Sequence, residues 1–314
     1  MLQHRVGQLE TWLTVYGRSE LTGQQAGAGR KSTVLGRKLG GELLKLRDAQ
    51  GLTQPQAARH LTATQTKIAK IERGVVPVRD PDLHALCDLY GVERADATRD
   101  RLLALAKADR ERRRAKGWWE EYTDLGDLLE YIQLEAGASS VRTFQNQLVP
   151  GLLQTPEYAR AVAVADDVWE DPDHVDQFVA ARVGRQARLT DGETLELWAV
   201  LSEAVLRQQV GGPTVMQAQL ERLLEVSAMP NVKLQVWPFE AGAHASMSGP
   251  FVIVGFEEPA STDVVYVETA SSRLWLESEE DANRHRGLFD SVRRKALSPE
   301  DTRARLSSLI KENR

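Results

Sequence analysis

RDAQGLTQPQAARHLTATQTKIAKIERGVVPV, residues 47–78, decides how the first part of this chain folds. Thr53 stands where a helix cap belongs, and Gln56 follows three residues later, the spacing of a reciprocal capping box. Pro55 falls in the first turn, where a main-chain N–H would have no intrahelical acceptor in any case. Ala57, Ala58 and Leu61 supply an apolar face, and the two alanines let another helix come close. Thr62 and Ala63 make a tight connection. Thr64 caps the next helix, in which Ile68 and Ile71 turn toward a core while Gln65, Thr66, Ala69 and Lys70 stay on other faces. GVVP ends it.

The neighbouring sequence is helical as well. A patterned run over 34–50 stops at Gly51, a fourth helix is expected over 81–90 and closes at Gly91, and a long fifth covers 97–116. These five short-linked helices, with no strand, form a domain at 30–116. The charge run KADRERRRAK (107–116) reads as a solvated helical face with Asp109 and Glu111 as internal partners; the competing reading sends Arg112, Arg113 and Arg114 to DNA. Cys87 sits among Leu86, Leu89 and Tyr90, as a buried structural thiol would. Residues 1–29, around TGQQAGAG, read as a flexible arm.

Charge divides the chain. The whole carries −5, but residues 30–116 hold 20 Lys and Arg against 11 Asp and Glu, and residues 117–314 hold 18 against 32. The first region is therefore basic by 9 charges and the second acidic by 14. A phosphate backbone attracts the first and repels the second. A polar-tipped helix after Thr64 suits the major groove. Gln65 can pair with adenine, Thr66 can touch a thymine methyl, and Lys67 and Lys70 can reach guanine or phosphate. The amide of Gln54 begins the preceding helix, where an anion is favoured.

The segment resembles the phage-repressor-like helix-turn-helix family, also called the xenobiotic-response-element family. The resemblance rests on Gly51-Leu52-Thr53-Gln54, Ala57-Ala58, Thr64-Gln65 and Ile71-Glu72-Arg73-Gly74 with Pro77, and it extends over about 35–90. It implies an all-α, five-helix lambda-repressor-like DNA-binding domain. Its DNA-facing positions fall on Gln54, Thr64, Gln65, Thr66, Lys67 and Lys70, and it implies a structural ion pair between Arg47 and Glu72. Two positions depart from the family pattern. Pro55-Gln56 replaces two residues that are commonly acidic, and Thr62 stands where glycine is common, which predicts a slightly different turn.

Gly117 opens a mixed α/β or α+β domain at 117–314. Strands are expected within SVRTFQNQLVPGLLQ, at 195–200, and in VKLQVWPF, PFVIVGFEE and DVVYVETA. Helices are expected in TPEYARAVAVAD, over 173–188, in PTVMQAQLERLLEVSAM, and over 279–295 and 299–311. With RVGRQARL, these segments resemble a domain of unknown function, DUF5753, that commonly follows a helix-turn-helix in actinobacterial regulators; the resemblance runs over about 118–309. It implies a transcriptional regulator and carries no catalytic residues.

No HExxH, CxxC or G-x-S-x-G pattern occurs, and His174, His244 and His285 are too dispersed for a metal-ligand spacing. No catalytic residue, metal or cofactor is expected. GAHASMSGPF, with His244, Ser246 and Ser248, reads as a surface hairpin, although convergence of His244 with Glu268 would suit an enzyme. Glu268 has a ligand or Arg273 as its expected partner. The expected partners of the chain are double-stranded DNA, a second copy in a homodimer, and a small molecule or protein at the acidic domain. The competing functions are a protein-interaction adaptor, or a regulator whose second domain is an enzyme or a ligand sensor. A single cysteine and the lack of a membrane-length apolar run or a secretory leader point to the cytoplasm.

Overall fold

Thr33 shows how the capping signals become structure: its hydroxyl accepts the Gly36 N–H at 3.0 Å and starts helix α1 (Val34–Ala49). The computed structural model describes residues 32–114, 117–122, 128–165, 172–192, 195–257, 263–269 and 272–313. Helices α2 (Gln54–His60), α3 (Gln65–Glu72), α4 (Asp80–Leu89) and α5 (Ala97–Arg114) follow. The five expected helices are thus present. The arm at 1–29 and the expected end of the fifth helix, 115–116, lie outside the described residues.

One apolar core joins these helices through Leu39, Leu43, Ala57, Ile68, Leu83 and Leu102. Cys87 belongs to it, and burial pushes its thiol pKa up. Gly40 explains why α3 can cross α1 so closely. A Cβ there would lie 2.4 Å from the Glu72 carbonyl oxygen, so only glycine lets the two backbones meet.

The basic end of α5 is only in part the solvated face expected of the charge run. Arg113 donates to the Gly74 carbonyl at 2.6 Å and to Thr33 Oγ1 at 3.0 Å, and pairs with Asp109 at 2.8 Å. Arg110 donates to the Val78 carbonyl at 2.7 Å. Arg112 donates to the Glu130 carbonyl at 2.8 Å, and burial pushes its pKa down to about 10. Asp109 and Glu111 do act as internal partners, Glu111 toward Lys107 at 3.9 Å, but Arg110, Arg112 and Arg113 donate to backbone carbonyls, so the face is not simply solvated.

The second domain is built on a six-stranded mixed sheet. Its strands are β1 (Ser140–Gln145), β2 (Glu196–Ser202), β3 (Val232–Trp237), β4 (Phe251–Gly255), β5 (Val264–Glu268) and β6 (Arg273–Leu276), in the order β3-β2-β1-β4-β5-β6. β1, β2 and β3 run parallel, and β4, β5 and β6 pair antiparallel. Alternation sorts the side chains: Val141, Leu197, Leu201 and Leu234 enter one core, while Phe144, Val200, Trp237 and Ile253 enter the other. The first core is closed by residues of α7 (Pro156–Ala165), α10 (Pro213–Val226) and α12 (Pro299–Glu312); the second is closed by Phe289 and Val292 of α11 (Glu279–Lys295).

Between these lie α8 (Pro172–Arg185) and the short α9 (Glu203–Arg207). Three of these elements were not expected from the sequence, α6 (Leu128–Ala136), α9 and β6. The helix expected over 173–188 ends at Arg185 and continues as a 3-10 turn, Gln186–Leu189.

The DNA-binding helices and the sheet domain belong to one compact unit, 32–314. Val34, at the start of α1, is fully buried in the core of the sheet domain. Beside it Arg37 pairs with Glu277 at 2.9 Å and with Glu130 at 3.4 Å, and Arg101 reaches Glu42 at 2.8 Å and Glu279 at 3.7 Å. Burial pushes the Lys38 ammonium down to about 8 and the Glu277 carboxyl up to about 7.

Candidate nucleic-acid interface

The interface grows from the α2–α3 turn. The Gln56 side-chain oxygen accepts Thr53 N–H at 2.8 Å, and Thr53 Oγ1 donates to the same oxygen at 2.8 Å, fixing the start of α2. Thr64 Oγ1 accepts Lys67 N–H at 3.2 Å and fixes the start of α3. Thr62 takes φ +48, the left-handed conformation that glycine adopts freely. The turn therefore keeps the shape a glycine would give it, and the expected difference appears as backbone strain in a β-branched residue.

Arg47 and Glu72 meet at 2.6 Å, with both side chains mostly buried. A second bond of 3.2 Å makes the pair bidentate, and the hydrogen bond to Glu72 holds the Arg47 pKa above its ordinary value. The remaining capacity of the carboxylate is used by Gln54, whose Nε2 donates to Glu72 Oε2 at 2.8 Å. Gln54 then presents its Oε1 to Gln65 Nε2, 3.5 Å away. A polar chain thus runs from the buried guanidinium to the exposed head of α3.

Thr64, Gln65, Thr66 and Lys70 are exposed, and Gln54 is half-buried behind them. Lys67 differs. Its ammonium pairs with Asp82 at 2.9 Å. Burial opposes ionisation of Asp82, but hydrogen bonds from Lys67 and Arg79 hold its pKa below the ordinary value. Lys67 is therefore committed to α4 in the free protein. No local pattern in the sequence announced Asp82 as its partner. Gly40 was also passed over, although Gly36 and Gly40 stand four residues apart, the spacing that opens one helix face to close approach.

The family described as a helix-turn-helix domain matches residues 38–102, and the family described as a domain of unknown function (DUF5753) matches residues 128–308. The chain belongs to the DUF5753 family. This DUF5753 chain carries a DNA-binding helix-turn-helix domain ahead of a mixed α/β domain. No curated protein and no solved structure matches it.

In the DUF5753 domain His244 and Glu268 have separate partners. The His244 ring lies 4.6 Å from Phe144 and 5.3 Å from Trp237, measured between ring centres, and burial pushes its pKa down. Its Nδ1 accepts Ser246 N–H at 3.2 Å, while Ser246 Oγ donates to the Gly249 carbonyl at 2.7 Å. Glu268 pairs with Arg273 at 2.9 Å. Among the described residues no group of three or more His, Cys, Asp or Glu is arranged to hold a metal ion, and no helix is long and apolar enough to cross a membrane.

Proposed function

We propose that this protein is a sequence-specific transcriptional regulator that acts by binding rather than by turnover. Helix α3 enters the major groove. Gln65 pairs with adenine, Thr66 and Lys70 meet neighbouring base edges or phosphates, and the Gln54 amide at the start of α2 takes a backbone phosphate. Thr64 lies at the rim of the same contact. Lys67 joins it only by exchanging Asp82 for DNA. A single unit of this size covers a short site, so two copies bind a two-fold-related operator as a homodimer. The acidic domain is repelled by DNA and supplies dimerisation, sensing of a small molecule or partner protein, or both.

The single observation behind this reading is the Arg47–Glu72–Gln54–Gln65 chain, which orients an exposed glutamine from a buried ion pair. Selection from random duplexes with the purified protein would yield the operator, its spacing and its symmetry. Gln65→Ala is then expected to weaken the selected operator at least tenfold, about the discrimination of one bidentate base contact, and random DNA less than twofold. Equal losses on both would remove the base-reading role.

A further inference from the structure

A groove of about 1470 Å³ lies where α5 meets the edge of the sheet at which β1, β2 and β3 begin. Leu35 and Ala108 of the DNA-binding unit and Leu134 of α6 give it apolar wall. Its opposite wall is unlike the rest of this acidic domain. The strand register sets Arg142 of β1 beside Trp198 of β2, and Trp198 beside Lys233 of β3. All three belong to the sheet face that α11 covers, and all three line the groove. Adjacent strands are ~4.8 Å apart, which places the two cationic residues roughly 10 Å apart at their Cα atoms across one indole.

This part of the groove gathers Arg142, Arg188, Lys233 and Arg293 against Glu196, Glu257 and Asp290. Lys233 Nζ lies 5.0 Å from the Trp198 ring centre, and the Arg293 guanidinium lies 4.7 Å from it. Arg293 is balanced by Asp290 at 2.6 Å. Arg142 and Lys233 make no ion pair among the described residues. Trp198 cannot swing away, because its Nε1 donates to Gln235 Oε1 at 2.8 Å and its ring meets Phe289 edge-on at 5.7 Å. The result is a rigid aromatic platform flanked by two cations that form no ion pair among the described residues, inside a groove of mixed polar and apolar lining. Such mixed lining at a domain boundary suits a small ligand with one charged end.

We propose that this groove binds a small organic anion with an apolar body, its carboxylate, sulfonate or phosphate held by Arg142 and Lys233 and its body laid toward Leu35 and Ala108. An occupant touches the sheet domain and α5 at once. Its affinity therefore depends on how the two are docked, and by linkage it biases that docking in return. This last step rests on the sensing role proposed above; the binding itself does not.

The test uses two probes with the same aromatic body: 8-anilinonaphthalene-1-sulfonate, which is anionic, and N-phenyl-1-naphthylamine, which is neutral. With the full-length chain, the anionic probe is expected to bind saturably at one site per chain, read by its fluorescence. The double substitution Arg142→Ala with Lys233→Ala is expected to weaken that binding at least tenfold and to change binding of the neutral probe less than twofold. Circular dichroism establishes that the double variant is folded; should it not be, Arg142→Gln with Lys233→Gln is judged by the same criteria. Absence of saturable binding, or equal losses for both probes, overturns the proposal. So does a double variant that loses affinity for random DNA while binding the anionic probe as before, because the two cations would then serve phosphate contacts. No probe measurement involves DNA, so failure of the regulator reading leaves this result interpretable.

Discussion

Two buried charge clusters in this chain are built in opposite ways. Inside the DNA-binding unit, Arg47 and Glu72 are joined by two hydrogen bonds, and Gln54 takes up what remains of the carboxylate. At the junction with the DUF5753 domain, Arg37 Nη2 and Arg101 Nε are buried without a hydrogen-bond partner among the described residues. There Lys38 and Glu277 have pKa values near 8 and near 7. The first cluster has its charges paired and hydrogen-bonded. The second is costly to keep charged and sits close to its titration points. A satisfied pair fixes the reading head, whereas an under-satisfied cluster leaves the contact between domains adjustable.

The comparison breaks most severely at Glu72. Replacing it by alanine leaves the Arg47 guanidinium buried, with the Leu52 carbonyl as an acceptor and the exposed Asp48, 2.7 Å away, as its carboxylate. The expected loss is about 3–5 kcal/mol in urea unfolding, with loss of operator binding. A loss under about 1 kcal/mol would show that the pair does not differ in kind from a surface contact.

The junction is tested by pH. Glu277 binds its proton more tightly in the folded chain than in the unfolded one, so stability falls as pH rises from about 4.5 to about 7. Lys38 holds its proton less tightly when folded, so stability rises again from about 8 to about 10.5. The penalty is greatest between those windows, near pH 7–8. Unfolding measured at pH 5 and pH 7 should show Glu277→Gln losing roughly 2 kcal/mol less than the unsubstituted chain over that interval. Parallel pH curves for the two proteins would rule out a titrating carboxyl at the junction.

The smallest effect has the opposite sign. Thr62→Gly relieves a left-handed β-branched residue and is expected to add about 1 kcal/mol, raising the melting temperature without altering operator affinity. A destabilised variant would mean that Thr62 is not strained.

Local chemistry made the helix-turn-helix legible. Thr53, Gln56 and Thr64 act within a few residues of themselves, so their sequence spacing already states their partners. The Arg47–Glu72 pairing was available only through family resemblance, because 25 residues separate the two. Lys67 read as a groove contact because Asp82 lies in another helix, 15 residues on. Helix α6 escaped notice because its buried Tyr131 and Glu135 depend on distant partners: Arg185 reaches Glu135 at 2.7 Å from α8. β6 is four residues long and mostly open, so it shows no strong alternation. The row Arg142–Trp198–Lys233 exists only in the register of three parallel strands, whose pairing no single segment encodes.

Val34 has a consequence for how such proteins can be assembled over evolutionary time. The two family matches end and begin 26 residues apart, which invites a view of interchangeable cassettes. Yet the first residue of the first DNA-binding helix completes the core of the other domain. Exchanging either half for an unrelated one would leave a vacant socket on one side and a bare apolar plug on the other. Inheritance should therefore keep the two halves together as a matched set, with position 34 changing only in step with the socket that receives it.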